Sequence, residues 1–262
     1  MLGVTGLTVR LGRSTILEDL DLEARPGEVT VILGPNGSGK TTLLRAATND
    51  LRYEGSVRLN GHEVAGTESW RLAAMRGVLE QAVQVAFSFT VGEIVRLGLQ
   101  SGASGRRPEI VDLALAEVGL EGLADQPFHE LSGGQQQRAH LARVRAQIWD
   151  PVDADGPRWL FLDEPVASLD IGHQLSVMGV MRRFARGGGG VVAVMHDLNL
   201  SAMVADRIVL MAGGRIMSTG TPAEVLRNAT LAQAYGCPLR INHIPRDCVW
   251  VLPQGAADEA RL

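Results

Sequence analysis

The sequence predicts an α/β fold in which a mostly parallel sheet is accompanied by an antiparallel β subdomain and an inserted helical subdomain. Alternating apolar and polar side chains over residues 3–10 and 15–24 indicate half-buried antiparallel strands. Between about Thr90 and Trp149 only helical periodicity is found, which indicates an all-helical insertion. Short apolar runs elsewhere indicate the buried strands of a parallel sheet. These runs are residues 29–33, 77–81, 158–162 and 191–195.

Turn and helix signals predict the elements of the N-terminal part. A helix should begin at Lys40 and run to about Asn49. Asn60-Gly61 is a strong hairpin signal between short strands at 56–59 and 63–64. In the helical insertion the pattern predicts helices at residues 91–100, 110–118 and 133–148.

The C-terminal part is predicted in the same way. A helix over 172–185 is followed by the glycine run 187–190, which we expect to be a flexible connector. A last pair of strands is expected at 207–211 and 215–218. The segment 221–224 has the pattern of a capping box with proline at the first helical position.

Residues 34–41 match the phosphate-binding loop of nucleotide-hydrolysing proteins. Glycines let the backbone approach a triphosphate, because a Cβ would block the contact and forbid positive φ. Successive N–H groups at the start of the following helix then bind the anion. Lys40 supplies a point charge for the β- and γ-phosphates, and the Thr41 hydroxyl can ligate Mg²⁺. The predicted nucleotide contacts are Gly34, Pro35, Asn36, Gly37, Ser38, Gly39, Lys40, Thr41 and Thr42.

Lys40 is the only lysine in a chain with 25 lysine and arginine residues. A rigid, forked guanidinium cannot replace a small ammonium inside a phosphate-binding loop. The use of lysine at this one position therefore indicates that residues 34–41 bind phosphate.

Composition argues against several other classes of protein. The formal net charge of −4 and the pI near 5.9 argue against nucleic-acid binding, which needs a clustered basic surface. No apolar run approaches the roughly 18 residues that a membrane span requires, and residues 1–11 lack the pattern of a signal peptide. Cys237 and Cys248 provide neither a disulfide framework nor a metal-binding spacing. We therefore expect a soluble protein of a reducing compartment.

Polar residues follow the ends of the predicted parallel strands. The strand at 29–33 leads into the phosphate-binding loop, and the next ones lead to Gln81, to Asp163-Glu164 and to His196. Ligands of such sheets bind at the carboxyl ends of the strands. These groups should therefore meet at one edge of the sheet around the nucleotide.

Asp163 and Glu164 have the pattern of a hydrolytic pair. A carboxylate after four apolar residues is typical of the group that holds Mg²⁺ beside the phosphates, which assigns that role to Asp163. Glu164 is placed to polarise the attacking water as general base. An alternative is that the pair caps the next helix, but Pro165 moves the start of that helix downstream. We therefore predict that Glu164 is catalytic.

A second phosphate site is predicted at the segment Leu-Ser-Gly-Gly-Gln-Gln-Gln-Arg, residues 131–138. A hydroxyl, bare N–H groups and a helix dipole suit an anion. An ordinary capped helix does not need two glycines in its first turn, where each costs about 1 kcal/mol. Because the first loop already surrounds the phosphates, we expect this segment to face the nucleotide of a second copy in a twofold, head-to-tail dimer. The predicted contacts are Leu131, Ser132, Gly133, Gly134 and Gln135.

The order of these motifs resembles that of the ATP-binding subunits of ABC transporters over about residues 3–235. The motifs are the phosphate-binding loop, Gln81, the signature at 131–138, Leu160–Glu164, Ser168-Leu169-Asp170 and His196. The resemblance implies an ABC-type P-loop NTPase core within a single domain, residues 1–262. Its implied parts are a nucleotide-binding core at 1–85 and 150–235, a helical signature subdomain at 86–149, and a C-terminal tail at 236–262.

The resemblance also implies roles for individual residues. Gln81 would act in catalysis and hold Mg²⁺ together with Thr41 and Asp163. It would also couple the site to a membrane subunit through the following link at 83–89. Asp170 would lie at the dimer interface, and His196 would contact the γ-phosphate and order the transition state.

One part of the chain departs from the family pattern. ABC ATPases usually place an aromatic side chain near the first strand to stack on adenine, but residues 9–12 contain none. Arg10 could stack its guanidinium on the base, or Leu11 could pack against it.

Within the family, residues 196–200 and 87–91 resemble importers of iron complexes and cobalamin, and the connector at 149–157 is most similar to that of haemin-import ATPases. The implied function is the ATP-hydrolysing, Mg²⁺-dependent motor of a haemin importer, with a ferric siderophore or cobalamin as alternative cargo. The implied partners are a second copy of the chain, two transmembrane permease subunits that contact it near Gln81–Phe89, and a periplasmic substrate-binding protein. The implied location is peripheral, on the cytoplasmic face of the bacterial inner membrane.

Two other classes of ATPase carry similar motifs. Nucleic-acid or ribosome-associated ABC ATPases usually have coiled coils, zinc modules or two ATPase halves, none of which is visible in this sequence. A non-hydrolytic nucleotide switch is disfavoured because Glu164 and His196 are both present.

Overall fold

The computed structural model describes residues 1–81, 88–102, 107–243, 249 and 251–255. The strands of this part are β1 (Leu2–Leu11), β2 (Ser14–Ala24), β3 (Val29–Leu33), β4 (Glu54–Leu59), β5 (His62–Glu63), β6 (Arg76–Leu79), β7 (Val152–Asp153), β8 (Gly156–Pro157), β9 (Trp159–Asp163), β10 (Gly190–Val194), β11 (Arg207–Ala212) and β12 (Arg215–Gly220). The α-helices are α1 (Lys40–Ala47), α2 (Ser69–Met75), α3 (Val91–Ser101), α4 (Ile110–Glu117), α5 (Gly133–Gln147), α6 (Ile171–Arg186), α7 (Leu198–Val204), α8 (Pro222–Val225) and α9 (Asn228–Tyr235).

The main sheet has six strands in the order β12-β11-β3-β10-β9-β6. The five strands from β11 to β6 are mutually parallel, and β12 pairs antiparallel with β11 at the edge. Every residue of β3, β9 and β10 is buried, because layers of side chains cover both faces of these strands. This burial explains why their sequences are apolar except for Thr30 and Asp163. The strand pairing confirms the predicted parallel sheet.

The antiparallel subdomain is a four-stranded sheet in the order β2-β1-β4-β5. In β1 and β2, buried side chains interchange with exposed or half-buried ones, as the sequence pattern predicts. The predicted hairpin at Asn60-Gly61 joins β4 and β5, and Asn60 adopts a left-handed φ of 52° there. One face of this sheet packs with α1 in a common apolar core.

The predicted helical insertion is confirmed by α3, α4 and α5, whose apolar sides pack together. Three α-helices, α2, α7 and α9, and the two strands β7 and β8 within the connector at 149–157 were not predicted. Each is short, so its sequence pattern is weak and its stability depends on tertiary packing. The prediction for the first helix was close, since α1 ends at Ala47 rather than near Asn49.

The glycine run at 187–190 is not the flexible connector that the sequence suggested. Gly190 is the first residue of β10, and the Gly27 N–H donates a 2.7 Å hydrogen bond to the Gly189 carbonyl. A Cβ on Gly190 would lie 2.4 Å from the Trp159 ring, and one on Gly189 would lie 2.3 Å from the Phe184 ring. These glycines are therefore required by close packing against aromatic rings.

In the described part of the chain, no helix is both long and apolar enough to cross a lipid bilayer. The link at 83–89, for which we predict contact with a membrane subunit, lies outside the described residues except for its last two positions.

Candidate active site

A cavity of about 780 Å³ opens at the carboxyl ends of the parallel strands. It brings together the phosphate-binding loop and the polar residues that follow β6, β9 and β10, as predicted from the strand ends. The residues that line it are Leu11, Ile16, Asn36, Gly37, Gly39, Lys40, Thr41, Thr42, Gln81, Glu164 and His196.

The loop between β3 and α1 has a backbone that only glycine tolerates at its two ends. Gly34 has a φ of +151°, and a Cβ there would lie 2.2 Å from the Met211 carbonyl oxygen. Gly39 has a φ of +97°, and a Cβ there would lie 2.5 Å from a Leu17 methyl group. The left-handed region and the close approach together exclude side chains. The backbone is thereby left bare where the N–H groups at the start of α1 can bind an anion.

The Lys40 side chain lies inside this loop and is only 5% exposed. Its Nζ donates hydrogen bonds to the carbonyl oxygens of Gly34, at 2.9 Å, and Pro35, at 3.0 Å. Burial lowers the pKa of Lys40 below its usual value, although the nearby carboxylates Glu164 and Asp163 oppose the shift. The third hydrogen-bonding position of the ammonium remains available for a ligand.

Replacing Lys40 with Arg should weaken ATP binding about tenfold or more, because a planar guanidinium does not fit the two carbonyl oxygens and the phosphate at once. The affinity of the purified chain for a fluorescent ATP analogue would measure the effect. The matched control is Arg45→Lys, the reverse exchange at an exposed position of the same helix, which should leave the affinity unchanged. Equal affinities for the wild type and Lys40→Arg would contradict the role of the ammonium.

Thr41 and Asp163 form the second part of the site. The Thr41 hydroxyl donates to Asp163 Oδ1 at 3.3 Å, and Asp163 is 4% exposed. Burial raises the pKa of Asp163, while the hydrogen bond from Thr41 opposes that shift. Among the described residues no group of three or more His, Cys, Asp or Glu side chains could hold a metal by itself. A hydroxyl and a carboxylate beside a phosphate-binding loop nevertheless fit Mg²⁺, which usually takes one or two protein oxygens plus phosphates and water.

Glu164 and His196 form the third part. His196 Nε2 lies 2.5 Å from Glu164 Oε1, so a hydrogen bond joins the two side chains at the cavity wall. Glu164 has a left-handed φ of 52°, which costs a residue with a Cβ roughly 1–2 kcal/mol. Its N–H donates to the Val194 carbonyl at 3.1 Å, and its carbonyl accepts from the Ala167 N–H at 3.1 Å. Strained backbone held by its neighbours in this way is typical of functional positions.

The signature segment lies at the N-terminus of α5 and does not line the cavity. Ser132 and Gln135 form a capping box: the Gln135 N–H donates to Ser132 Oγ at 3.3 Å, and the Ser132 N–H donates to Gln135 Oε1 at 2.9 Å. Ser132 and Gly133 are exposed, whereas Leu131 is buried in the core. The predicted second phosphate site is thus a solvent-facing helix N-terminus, separate from the cavity within one chain.

The family profile of ABC transporters matches residues 17–167, a stretch that contains the phosphate-binding loop, the signature and Glu164. This chain belongs to the ABC transporter family. The domain is the ATP-binding, ATP-hydrolysing domain of that family.

A curated relative supports this membership along the whole chain. The sequence is 55% identical to the Hemin import ATP-binding protein HmuV of Jannaschia sp. (strain CCS1), over 100% of this chain and 99% of the relative. Among solved structures, an ATP-binding subunit of an ABC transporter superposes with a TM-score of 0.78 at 21% identity, over 90% of this chain and 98% of that one. The dimeric ATP-binding cassette MJ0796 with bound ADP and phosphate superposes with a TM-score of 0.72 at 25% identity, over 85% and 99%. The predicted ABC-type ATPase fold is confirmed.

The two residues that the sequence suggests for contact with an adenine differ in their position relative to the cavity. Arg10 forms an ion pair with Glu54 and does not line the cavity. Leu11 and Ile16 do line it, and both are apolar. The geometry therefore supports Leu11 rather than Arg10. Ile16 was missed because nothing in its strand sequence marks which apolar residue faces a ligand.

Asp170 also lies outside the cavity. It is the N-cap of α6 and accepts hydrogen bonds from the His173 N–H at 2.9 Å and from His173 Nδ1 at 2.7 Å. These hydrogen bonds lower the pKa of Asp170. Its carboxylate is exposed, so an additional contact with a second chain is sterically open.

Proposed function

We propose that this chain is the ATP-hydrolysing motor subunit of a bacterial haemin importer. The observation that carries the hydrolytic part is the cavity lined by Lys40, Thr41 and the Glu164–His196 pair, with Asp163 hydrogen-bonded to Thr41 beside it. The proposal of haemin as cargo is supported by the full-length identity of 55% to a relative that bears the name of a haemin import ATP-binding protein.

In this proposal the phosphate-binding loop holds the triphosphate. The bare N–H groups between Gly34 and Thr42 surround the β-phosphate, and Lys40 adds a positive charge between the β- and γ-phosphates. Leu11 and Ile16 pack against the adenine, which accounts for their place on the same cavity wall. Purine contact by aliphatic side chains would replace the aromatic stacking usual in the family.

Thr41, Asp163 and Gln81 would hold Mg²⁺, which neutralises charge on the phosphates. The Thr41 hydroxyl can keep donating its proton to Asp163 while a lone pair of its oxygen ligates the ion. Gln81 lines the cavity and stands two residues before the link at 83–89, so it can join the site to whatever contacts that link.

Glu164 is proposed to accept the proton of the attacking water as the γ-phosphate is transferred to that water. His196 holds the Glu164 carboxylate at 2.5 Å and can turn its Nε2–H towards the γ-phosphate oxygens when ATP is bound. The products are ADP and inorganic phosphate, and the proton leaves through the carboxylate.

We further propose that the functional unit contains two copies of this chain. The exposed capping box at Ser132 would face the γ-phosphate bound by the other copy, and Asp170 would lie at the same interface. In this arrangement residues 1–85 and 150–235 form the nucleotide-binding core, residues 86–149 the signature subdomain, and residues 236–262 a tail. The dimeric solved relative supports a twofold pairing of this fold.

The remaining partners follow from the function in import. Two transmembrane permease subunits would contact the chain near Gln81–Phe89, and a periplasmic protein would deliver the iron-containing cargo to them. The chain would lie on the cytoplasmic face of the inner membrane as a peripheral subunit. No nucleic-acid partner is proposed, because the net charge is −4.

Reconstitution with its permease subunits in liposomes tests the cargo. We expect the haemin-loaded binding protein to raise ATP hydrolysis above the level seen with the unloaded protein. Cobalamin-loaded and ferric-siderophore-loaded binding proteins should not raise it. A complex that carries Glu164→Gln is the control for hydrolysis by contaminants. Stimulation by cobalamin or a siderophore, without stimulation by haemin, would contradict the haemin assignment and leave the ATPase assignment intact.

A further inference from the structure

The signature segment contains three consecutive glutamines whose side chains make different contacts. Gln135 belongs to the capping box, and Gln136 donates to the carbonyls of Phe128 and Leu131, at 3.4 and 3.2 Å, just before the same helix. Gln137 instead leaves its own helix, and its Nε2 donates to the Glu164 carbonyl at 3.0 Å. Only this one of the three reaches the candidate active site.

The Glu164 peptide is held from three sides. Its N–H is bonded to the end of β10 through Val194, and its carbonyl accepts from Ala167 and from Gln137. The left-handed φ of 52° at Glu164 persists only if such neighbours outweigh the backbone preference. Val194 belongs to β10 and Ala167 to the turn after Glu164, whereas Gln137 belongs to helix α5. It therefore ties the placement of the Glu164 carboxylate to α5.

Helix α5 approaches the same segment at a second point. Gly134 lies three residues before Gln137, on the same side of the helix. A Cβ on Gly134 would lie 3.2 Å from Leu169 Cδ2 and 3.8 Å from the Ser168 carbonyl. One face of α5 therefore lies close to both ends of the segment from Glu164 to Leu169.

The far end of α5 is anchored firmly. Arg145 is 5% exposed, donates to Glu117 at 2.7 Å and to the Ile148 carbonyl at 3.1 Å, and lies about 5 Å from the rings of Trp149 and Phe184. Because Phe184 belongs to α6, this cluster ties α5 to the helix that follows the segment with Glu164. The donor of the Gln137 hydrogen bond thus belongs to a well-fixed element.

We propose that Gln137 is a positioning residue whose hydrogen bond to the Glu164 backbone carbonyl fixes the direction of the Glu164 carboxylate. Hydrolysis thereby depends on the position of helix α5. This inference rests on the proposed role of Glu164 as general base. Ser132, at the N-terminus of α5, is exposed, and it is the residue proposed to face the nucleotide of the other copy. The same helix would therefore connect that nucleotide to Glu164 of its own chain.

The test uses Gln137→Met, which keeps the length of the side chain without the donor, and Gln137→Glu, which keeps its shape and replaces the donor by an acceptor. In the full-length chain, kcat for ATP hydrolysis should fall about tenfold in both variants, as expected when one hydrogen bond that aims a catalytic group is lost. KM and the affinity for a fluorescent ATP analogue should stay within about twofold, because the phosphate-binding loop is intact. ATP-driven dimerisation should persist in both.

Gln174→Met is the matched control. Gln174 is also half-buried and donates from a helix to a carbonyl of the same segment, that of Val166, at 3.4 Å. Its kcat should remain within about twofold of the wild type. Thermal unfolding of all variants shows whether any loss of rate comes from unfolding, and Gln137→Glu provides the answer if Gln137→Met does not fold.

Three results would overturn the positioning role. These are an unchanged kcat in the folded Gln137 variants, a rise in KM at constant kcat, and an equal loss of kcat in Gln174→Met. Each of them leaves the proposed function standing if Glu164→Gln is inactive. If Glu164→Gln hydrolyses ATP like the wild type, the proposed general base is wrong and the positioning role falls with it.

Discussion

Glu164→Gln should lower the rate of ATP hydrolysis by roughly 10²–10⁴-fold, the usual contribution of a general base. An amide cannot take a proton from water, yet it has the shape of the carboxylate and can still accept a hydrogen bond from His196. The backbone bonds of residue 164 to Val194, Ala167 and Gln137 do not involve the side chain and should be kept. Steady-state phosphate release by the purified chain measures the rate, and ATP affinity should be unchanged.

The control for this prediction is Glu121→Gln, which removes one negative charge at an exposed position away from the cavity lining. Its hydrolysis should equal that of the wild type. Because the hydrolysis step is blocked while binding is kept, Glu164→Gln should also accumulate an ATP-bound dimer, visible by size-exclusion chromatography. Hydrolysis at the wild-type rate by this variant would show that another group activates the water.

Ser132→Arg is the second change for which we expect a large effect. A long side chain at the first position of the capping box would occupy the space where the γ-phosphate of the other copy is proposed to bind. A displacement of about 1 Å at a reacting centre can cost roughly a hundredfold in rate, and we expect at least that loss of hydrolysis. ATP-driven dimerisation should also be lost. The affinity of one chain for ATP should be kept, since the residues that line the cavity do not include Ser132.

Ser101→Arg serves as the matched control because Ser101 is an exposed serine at the end of α3. An arginine is well tolerated at a helix C-terminus, so activity and dimerisation should remain normal. If Ser132→Arg kept both hydrolysis and ATP-driven dimerisation, the composite site would be contradicted. If it lowered the affinity of the isolated chain for ATP instead, the signature would act within its own chain.

Much of the fold could be predicted because its patterns are strong. A strand buried on both faces is mostly apolar, as in β10 and, apart from Thr30, in β3, and a half-buried strand alternates, as in β1. The short elements were missed for the opposite reason. Helix α7 has seven residues, too few for a periodic pattern to stand out, and it is held by packing of Leu200 and Val204 into the core.

The candidate site was predictable where chemistry restricts the choice of residue. A phosphate-binding loop needs bare glycines and an ammonium, so residues 34–41 can be recognised from the sequence alone. The contacts of Ile16 and Gln137 were not predictable, because an isoleucine in a strand or a glutamine on a helix has many ordinary uses. The choice between Arg10 and Leu11 likewise required knowing that Arg10 pairs with Glu54 across the sheet.

The residue pattern alone is enough to propose which groups carry the chemistry: the loop with the chain's one lysine, the carboxylates Asp163 and Glu164, and the signature at 131–138. Local residue types specify these groups, because each needs a particular functional group at a particular spacing. How these groups are held became visible only in the folded chain. The 3.0 Å bond from Gln137 to the Glu164 carbonyl joins a helix to a turn that are distant along the chain. Such contacts depend on the packing of whole elements, which no local pattern encodes.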